Sequence, residues 1–171
     1  MKLQKKQMLM FISGLIAIVI GLSILSVFAY RKISRELKLQ RLMKENIVIE
    51  IADLDLKAPV LEGTSQEILS QSAGHFTDTG SVGSGNFCVA GHSSVIYKEF
   101  FNHLKNAELG MEINLYDKSK KCYTYYVTDC FIVDPDETWI LEDFGDDRVT
   151  IVTCTDDGTQ RQIVVGKMVV A

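Results

Sequence analysis

No two of the four cysteines stand at C-x-x-C spacing, and the three histidines, His75, His92 and His103, form no ligand cluster with them. A structural zinc site needs paired thiolate or imidazole ligands at short spacing, so none is expected. Basic residues are equally scarce after residue 45. Residues 46–171 hold nine Lys and Arg against twenty Asp and Glu, a net of −11 in a chain whose total is −4. Phosphate backbones require clustered cations, so nucleic acid is not an expected partner. There is no internal repeat and no low-complexity segment, and 47% hydrophobic with 23% charged residues excludes a largely disordered chain. The acidic stretch Asp134 to Arg148 lacks the spaced oxygen ligands of a calcium loop. A solvated face is expected there, with calcium as the minor alternative and no other cofactor.

What is present begins with an uncharged run, Met8 to Tyr30, of twenty-three residues. At about 1.5 Å per residue it spans a hydrocarbon core of roughly 30 Å. It exceeds the usual signal-peptide core of about 7–15 residues, so a retained transmembrane anchor is expected. A cleaved signal peptide is the alternative, with Val27-Phe28-Ala29 as a weak small-residue site. Residues 1–7 would form a short tail. Residues 31–45 carry six basic residues against Glu36 and Glu45 and read as a basic helical stalk. Its positive face suits anionic headgroups as well as plain solvent. Counting positive charges alone, Lys2, Lys5 and Lys6 against the six that follow, places the C-terminal side in the cytoplasm.

Residues 46–171 form the expected folded domain. Ile47, Ile49 and Ile51 alternate with their neighbours, which is strand periodicity. Further strands are predicted over Ala58–Leu61, Asn86–Gly91, Met111–Tyr116, Cys122–Val133, Val149–Cys154 and Gln162–Val170. Thr64-Ser65-Gln66-Glu67 resembles a capping box before a brief helix, and Tyr97 to Lys105 suits one or two helical turns. About eight short strands with small helices predict a mainly β fold, a closed or nearly closed barrel. Cys88, Cys122 and Cys130 are expected as small buried hydrophobes. His75 is expected in a loop and His103 as a partly exposed helix residue.

Cys154 stands apart. It ends the run Val149-Thr150-Ile151-Val152-Thr153-Cys154 and precedes the polar turn 155–160, after which Arg161 opens the next strand. His92 likewise ends Phe87-Cys88-Val89-Ala90-Gly91. A thiolate can attack a carbonyl, an imidazole can supply and remove protons, and a guanidinium can hold the developing oxyanion. Cys154, His92 and Arg161 are therefore the candidate catalytic set.

These residues resemble the sortase family of Gram-positive cell-surface transpeptidases. Thr150-Ile151-Val152-Thr153-Cys154 is similar to the family's T-L-x-T-C signature, with Ile for Leu. Ala90-Gly91-His92 matches its A-G-H motif, and Arg161 takes the place of its essential arginine. Ile49 to Gly63 matches the opening strands, except that Ala52 replaces a frequent proline; Ser72 to Phe76 and Gly85-Asn86 also fit. The resemblance implies an eight-stranded barrel held outside the membrane by the anchor, against the charge count. It implies cleavage of an LPxTG-type sorting signal between Thr and Gly, then transfer to a peptidoglycan-precursor amine or a pilin lysine. The stretch before the cysteine strand corresponds to the loop shaping the substrate groove. Trp139, Ile140 and Leu141 within it, with Ser93 and Thr153, are the expected substrate contacts. No Asp-Pro-aromatic lid and no second hydrophobic span are seen, so class D is the nearest subclass. A pilin polymerase, a sorting-signal endopeptidase and a non-catalytic surface barrel are the alternatives.

Overall fold

The computed structural model describes residues 2–94 and 100–168, and the chain divides into two compact units, Met1–Arg41 and Leu42–Ala171. The first is helical. Helix α1 (Lys2–Glu45) continues unbroken from the uncharged stretch into the basic segment. By length and composition it can cross a membrane, its most apolar window having a mean hydropathy of 2.6. The helix ends where its last carbonyls find other donors. Lys120 Nζ donates to the carbonyls of Met43 (2.8 Å) and Asn46 (3.1 Å), a cation at a helix C-terminus.

The second unit is a closed barrel of β1 (Ile47–Ile51), β2 (Leu56–Glu62), β3 (Ala73–His75), β4 (Asn86–Ala90), β5 (Glu112–Tyr116), β6 (Cys122–Val133), β7 (Arg148–Cys154) and β8 (Arg161–Met168). Around the barrel they run β1-β2-β3-β4-β7-β8-β6, then β5, which closes on β1. The pairs β2–β3 and β4–β7 are parallel and the others antiparallel. Closure removes the unpaired edges that an open sheet of this size would expose. Ile49, Ile51, Phe87, Val89, Ile113, Leu115, Tyr125, Val149, Ile151 and Val164 fill the interior.

One strand serves both faces. The pairing of β6 with β8 shifts register between Val127 and Asp129. Such a bulge inserts one residue and reverses which side chains face in. Before it, Tyr125 and Val127 belong to the interior; after it, Phe131 and Val133 join a second apolar cluster with Ile140, Val152, Ile163 and Val165. Without the extra residue, Val127 and Phe131 would share a face.

The barrel was expected from the strand pattern, and so were most strand bounds to within two residues. Other expectations change. β3 carries no periodic signal because it has three residues. Helix α2 (Gln66–Leu69) starts where the capping box was expected, but its N-cap Ser65 makes no side-chain capping bond. Residues 97–99 of the expected helical turn lie outside the described residues, and only Leu104–Asn106 forms a 3₁₀ turn. Cys122 and Cys130 are exposed, not buried. Cys122 shares the outward parity of the exposed Tyr126, and Cys130 lies past the bulge, where its thiol reaches the Ala107 carbonyl (3.5 Å). His75 is not a loop residue. It is buried at the end of β3, stacked on Phe87 (4.3 Å), with Nδ1 on the Glu62 carboxylate (3.0 Å) and Nε2 2.9 Å from the Gly80 carbonyl.

At the start of β7, Asp146 is bound by Arg148, through Nε and through Nη2 (2.6 Å), and by Lys167 (2.9 Å). The hydrogen bond from Arg148 first, then that from Lys167, holds its carboxyl down at about 2, against 3.8 ordinarily. The folded state thus binds this proton more weakly than the unfolded chain. The cluster stabilises the fold above about pH 4, and its contribution fades as pH falls to about 2. Asp146→Asn should be less stable than wild type in urea at pH 6 and indistinguishable from it near pH 2. An equal deficit at both pH values would assign the loss to packing.

Candidate active site

Three neighbouring strands carry the candidate residues to one end of the barrel. β7 lies between β4 and β8. Cys154 pairs directly with Arg161 across the antiparallel β7–β8 ladder. Directly opposed residues project from the same face, with Cβ atoms about 4.5–5.5 Å apart. On the other side, Ala90 of β4 pairs with Val152. His92 follows two residues after Ala90, beyond the end of β4 and at the end of the barrel where Cys154 closes β7. The continuation past Ala90 is held by three bonds. Gly91 N–H donates to the Val152 carbonyl (3.1 Å), Thr153 Oγ1 to the Gly91 carbonyl (2.8 Å) and Ser93 Oγ to the Cys154 carbonyl (2.7 Å). Thr153 and Ser93, expected to contact substrate, thus have their hydroxyls committed to fastening the two strand ends together.

Gly91 is required by packing. A Cβ there would lie 2.5 Å from the Phe101 ring, which is fully buried, and Phe101 N–H donates to the His92 carbonyl (3.2 Å). The ring therefore braces the backbone that carries the imidazole. Gln66, at the start of α2, places Nε2 3.3 Å from His92 Nε2. An amide nitrogen donates, so His92 Nε2 is the acceptor in this arrangement. No spacing in the sequence connects residues 66 and 92; only the topology does.

The guanidinium of Arg161 donates to the carbonyls of Gln160 (3.1 Å) and Gly158 (3.5 Å). Its acidic neighbours are otherwise engaged. Asp156 pairs with Lys105 (2.6 Å), and the carboxylate of Asp157 accepts from Thr155 and Thr159, which lowers its pKa. Among the described residues, the partners of Arg161 are carbonyls, not carboxylates.

Beside the thiol a cavity of about 190 Å³ is lined by Ser93, Phe101, Asn102, Lys105, Ile132 and Cys154. Along the outer face, one step from Cys154 and Arg161, Val152 and Ile163 begin an apolar floor on which Ile140 and Leu141 pack. Trp139 is 43% exposed and stacks on Phe131 at 5.7 Å. The three expected apolar contacts thus divide: Ile140 is inserted, Leu141 partly covered and Trp139 presented at the surface.

The family profile described as "Sortase domain" matches residues 49–169. The chain belongs to the sortase family. It is 32% identical over 123 residues to Sortase A of Bacillus anthracis, covering 71% of this chain and 58% of that protein. The chain spans between 49% and 58% of the length of the curated relatives it matches. Among solved structures it resembles the Sortase D5 transpeptidase of Clostridium perfringens, with a TM-score of 0.67, 27% identity and coverage of 81% of this chain and 89% of that one. The pilus-related Sortase C of Group B Streptococcus is similar at a TM-score of 0.67 and 29% identity, covering 75% and 69%.

In this sortase the four cysteines are free and differ in setting. Burial pushes the Cys88 thiol up to about 11, so it stays protonated and inaccessible at neutral pH. Burial and then the Asp129 charge raise Cys130 as well. With iodoacetamide at pH 8 and peptide mapping, Cys88 should stay unmodified until the protein is unfolded, while the partly exposed Cys154 reacts in the native state. Labelling of native Cys88 as fast as Cys154 would contradict this placement.

Proposed function

We propose that this sortase is a membrane-anchored cysteine transpeptidase that cleaves an LPxTG-type sorting signal between Thr and Gly and joins the protein to an amine. The observation that carries the reading is the direct pairing of Cys154 with Arg161 across β7 and β8, with His92 just past the end of the neighbouring β4. Its support is chemical as well as geometric, because each type of group needed for acyl transfer to a thiol stands at one strand end.

Cys154 gives its thiol proton to His92 and Sγ attacks the threonine carbonyl, whose electron pair moves onto oxygen beside the Arg161 donors. Collapse of that intermediate breaks the amide bond, and His92 gives a proton to the departing glycine nitrogen. A thioester links threonine to Cys154. His92 then takes a proton from an incoming amine, whose nitrogen attacks the thioester and expels the Cys154 thiolate, to which His92 returns that proton. Water as the second nucleophile gives the endopeptidase reading with the same residues.

The apolar floor of Val152, Ile163 and Ile140 suits the leucine and proline of the signal, with Leu141 and Trp139 at its rim. Thr153 and Ser93 act by holding the strand ends. The acceptor is a peptidoglycan-precursor amine; a pilin lysine is the second reading, favoured by the 29% identity to a pilus-related Sortase C. Residues 8–30 serve as the anchor, 31–45 as the stalk, and residues 46–171 act on the extracellular side.

Arg161→Lys should keep the fold by circular dichroism and lose about 100- to 1,000-fold in turnover, the usual cost of one oxyanion donor. Near-normal turnover in this variant would reduce Arg161 to a structural charge. Product analysis with added amine should show a new amide bond at threonine; hydrolysis alone would favour the endopeptidase. Residues 46–171 without the helix should be soluble and cleave the peptide, because the barrel alone builds the site; an inactive soluble barrel would contradict that boundary.

A further inference from the structure

The segment joining β6 to β7, residues 134–147, stands over the apolar floor beside Cys154 and Arg161. It is a strongly acidic stretch, and between residues 134 and 144 only Ile140 is buried. Such a segment has little packing to hold it in place. Its two ends are tethered: Gln160 Nε2 donates to Asp134 (3.0 Å), and Gly85 N–H donates to Asp147 (2.9 Å). The middle, with the 3₁₀ turn Trp139–Leu141, is held differently.

Asn86, the first residue of β4, reaches under that turn and is 1% exposed. Its Nδ2 donates to the carbonyl of Ile140 (3.0 Å) and to that of Glu142 (2.8 Å). Its Oδ1 accepts from the hydroxyl of Thr150 on β7 (2.7 Å), and Thr150 is 1% exposed. Both amide hydrogens and the amide oxygen are thus in use, and Thr150 determines which way the amide faces. An aspartate would present oxygens to two carbonyls, and a glutamine would be one methylene too long. Cys88, the other side chain near the Ile140 carbonyl, makes only a weak contact through sulfur (3.9 Å).

We propose that Asn86 is a positioning residue for the acyl-donor peptide, fixing the height of the 139–142 wall above the Val152–Ile163 floor. It acts through Ile140 and the loop backbone, so it governs how well the peptide's apolar residues are gripped and leaves the thiol chemistry unchanged. The part concerning peptide rests on the function proposed above; the latch itself does not.

The chain supplies its own probe, since its single tryptophan is Trp139. In the full chain in detergent, Asn86→Ala should red-shift Trp139 emission and speed amide exchange over residues 139–142 by about tenfold or more, as expected for lost buried hydrogen bonds. Thr150→Val removes only the hydroxyl and should produce the same changes in smaller measure, while Thr150→Ser should retain wild-type emission. With an LPxTG-type peptide, Asn86→Ala should raise KM about tenfold and change kcat by less than about threefold. A folded Asn86→Ala variant with unchanged emission and exchange would overturn the latch. If that variant does not fold, Thr150→Val decides: a red shift supports the latch and unchanged emission overturns it. Loss confined to kcat would overturn the role in recognition. A wild-type chain inactive on sorting peptides would instead refute the proposed function, because emission and exchange are read without substrate.

Discussion

The parallel ladder between β4 and β7 joins segments some sixty residues apart, and the site depends on its register. Asn86 pairs with Arg148, Cys88 with Thr150 and Ala90 with Val152. Because side chains alternate, a slip of one residue would invert the outward face of β7. The ladder is well specified. Val89 and Ile151 are fully buried on its inner side, while Asn86 and Thr150 bond to each other on its outer side. Beyond the last paired residue, Gly91, Ser93 and Thr153 carry the alignment on to the reactive end. Parallel pairing so far apart in sequence is slow to form, since the intervening loop must close before the contacts reward it.

The second constraint is the reversal of β6 at its bulge. It allows one strand to fill the barrel with Tyr125 and Val127 and to support the outer apolar cluster with Phe131 and Val133. That cluster sits next to charged groups without containing them. Arg148 and Lys167 share the Asp146 carboxylate at the far end of β7, and Lys105 and Asp156 pair near the thiol. The outer face therefore runs from ionic groups, through an apolar floor, to the Cys154–Arg161 pair.

Much of this was legible in the residues because strand parity and strand ends leave local marks. Val149 to Cys154 reads as a strand ending in a polar turn, and the following Arg161 must return beside Cys154 across a short hairpin. The placement of His92 was legible only as another strand end; the pairing of the preceding strand β4 with β7 is a matter of topology. The parts that were not legible depend on single residues without period. β3 is too short to alternate, and the register shift between Val127 and Asp129 lets an inward set, Tyr125 and Val127, and an outward set, Phe131 and Val133, share one parity in the sequence. Gln66 beside His92 and Asn86 beneath Ile140 act across large sequence separations through one side chain each. Ser93 and Thr153 were legible by position, but their hydroxyls turn to backbone carbonyls.

The central claim is that Cys154 becomes covalently attached to the threonine of a sorting signal. Mass spectrometry of the protein quenched in acid during turnover of an LPxTG-type peptide, followed by peptide mapping, tests it most directly. The account predicts an added mass equal to the peptide through threonine, located on the fragment containing Cys154 and discharged when an amine is supplied. An adduct on Cys88, Cys122 or Cys130, or cleavage that proceeds with no adduct under conditions that trap thioesters, would contradict it.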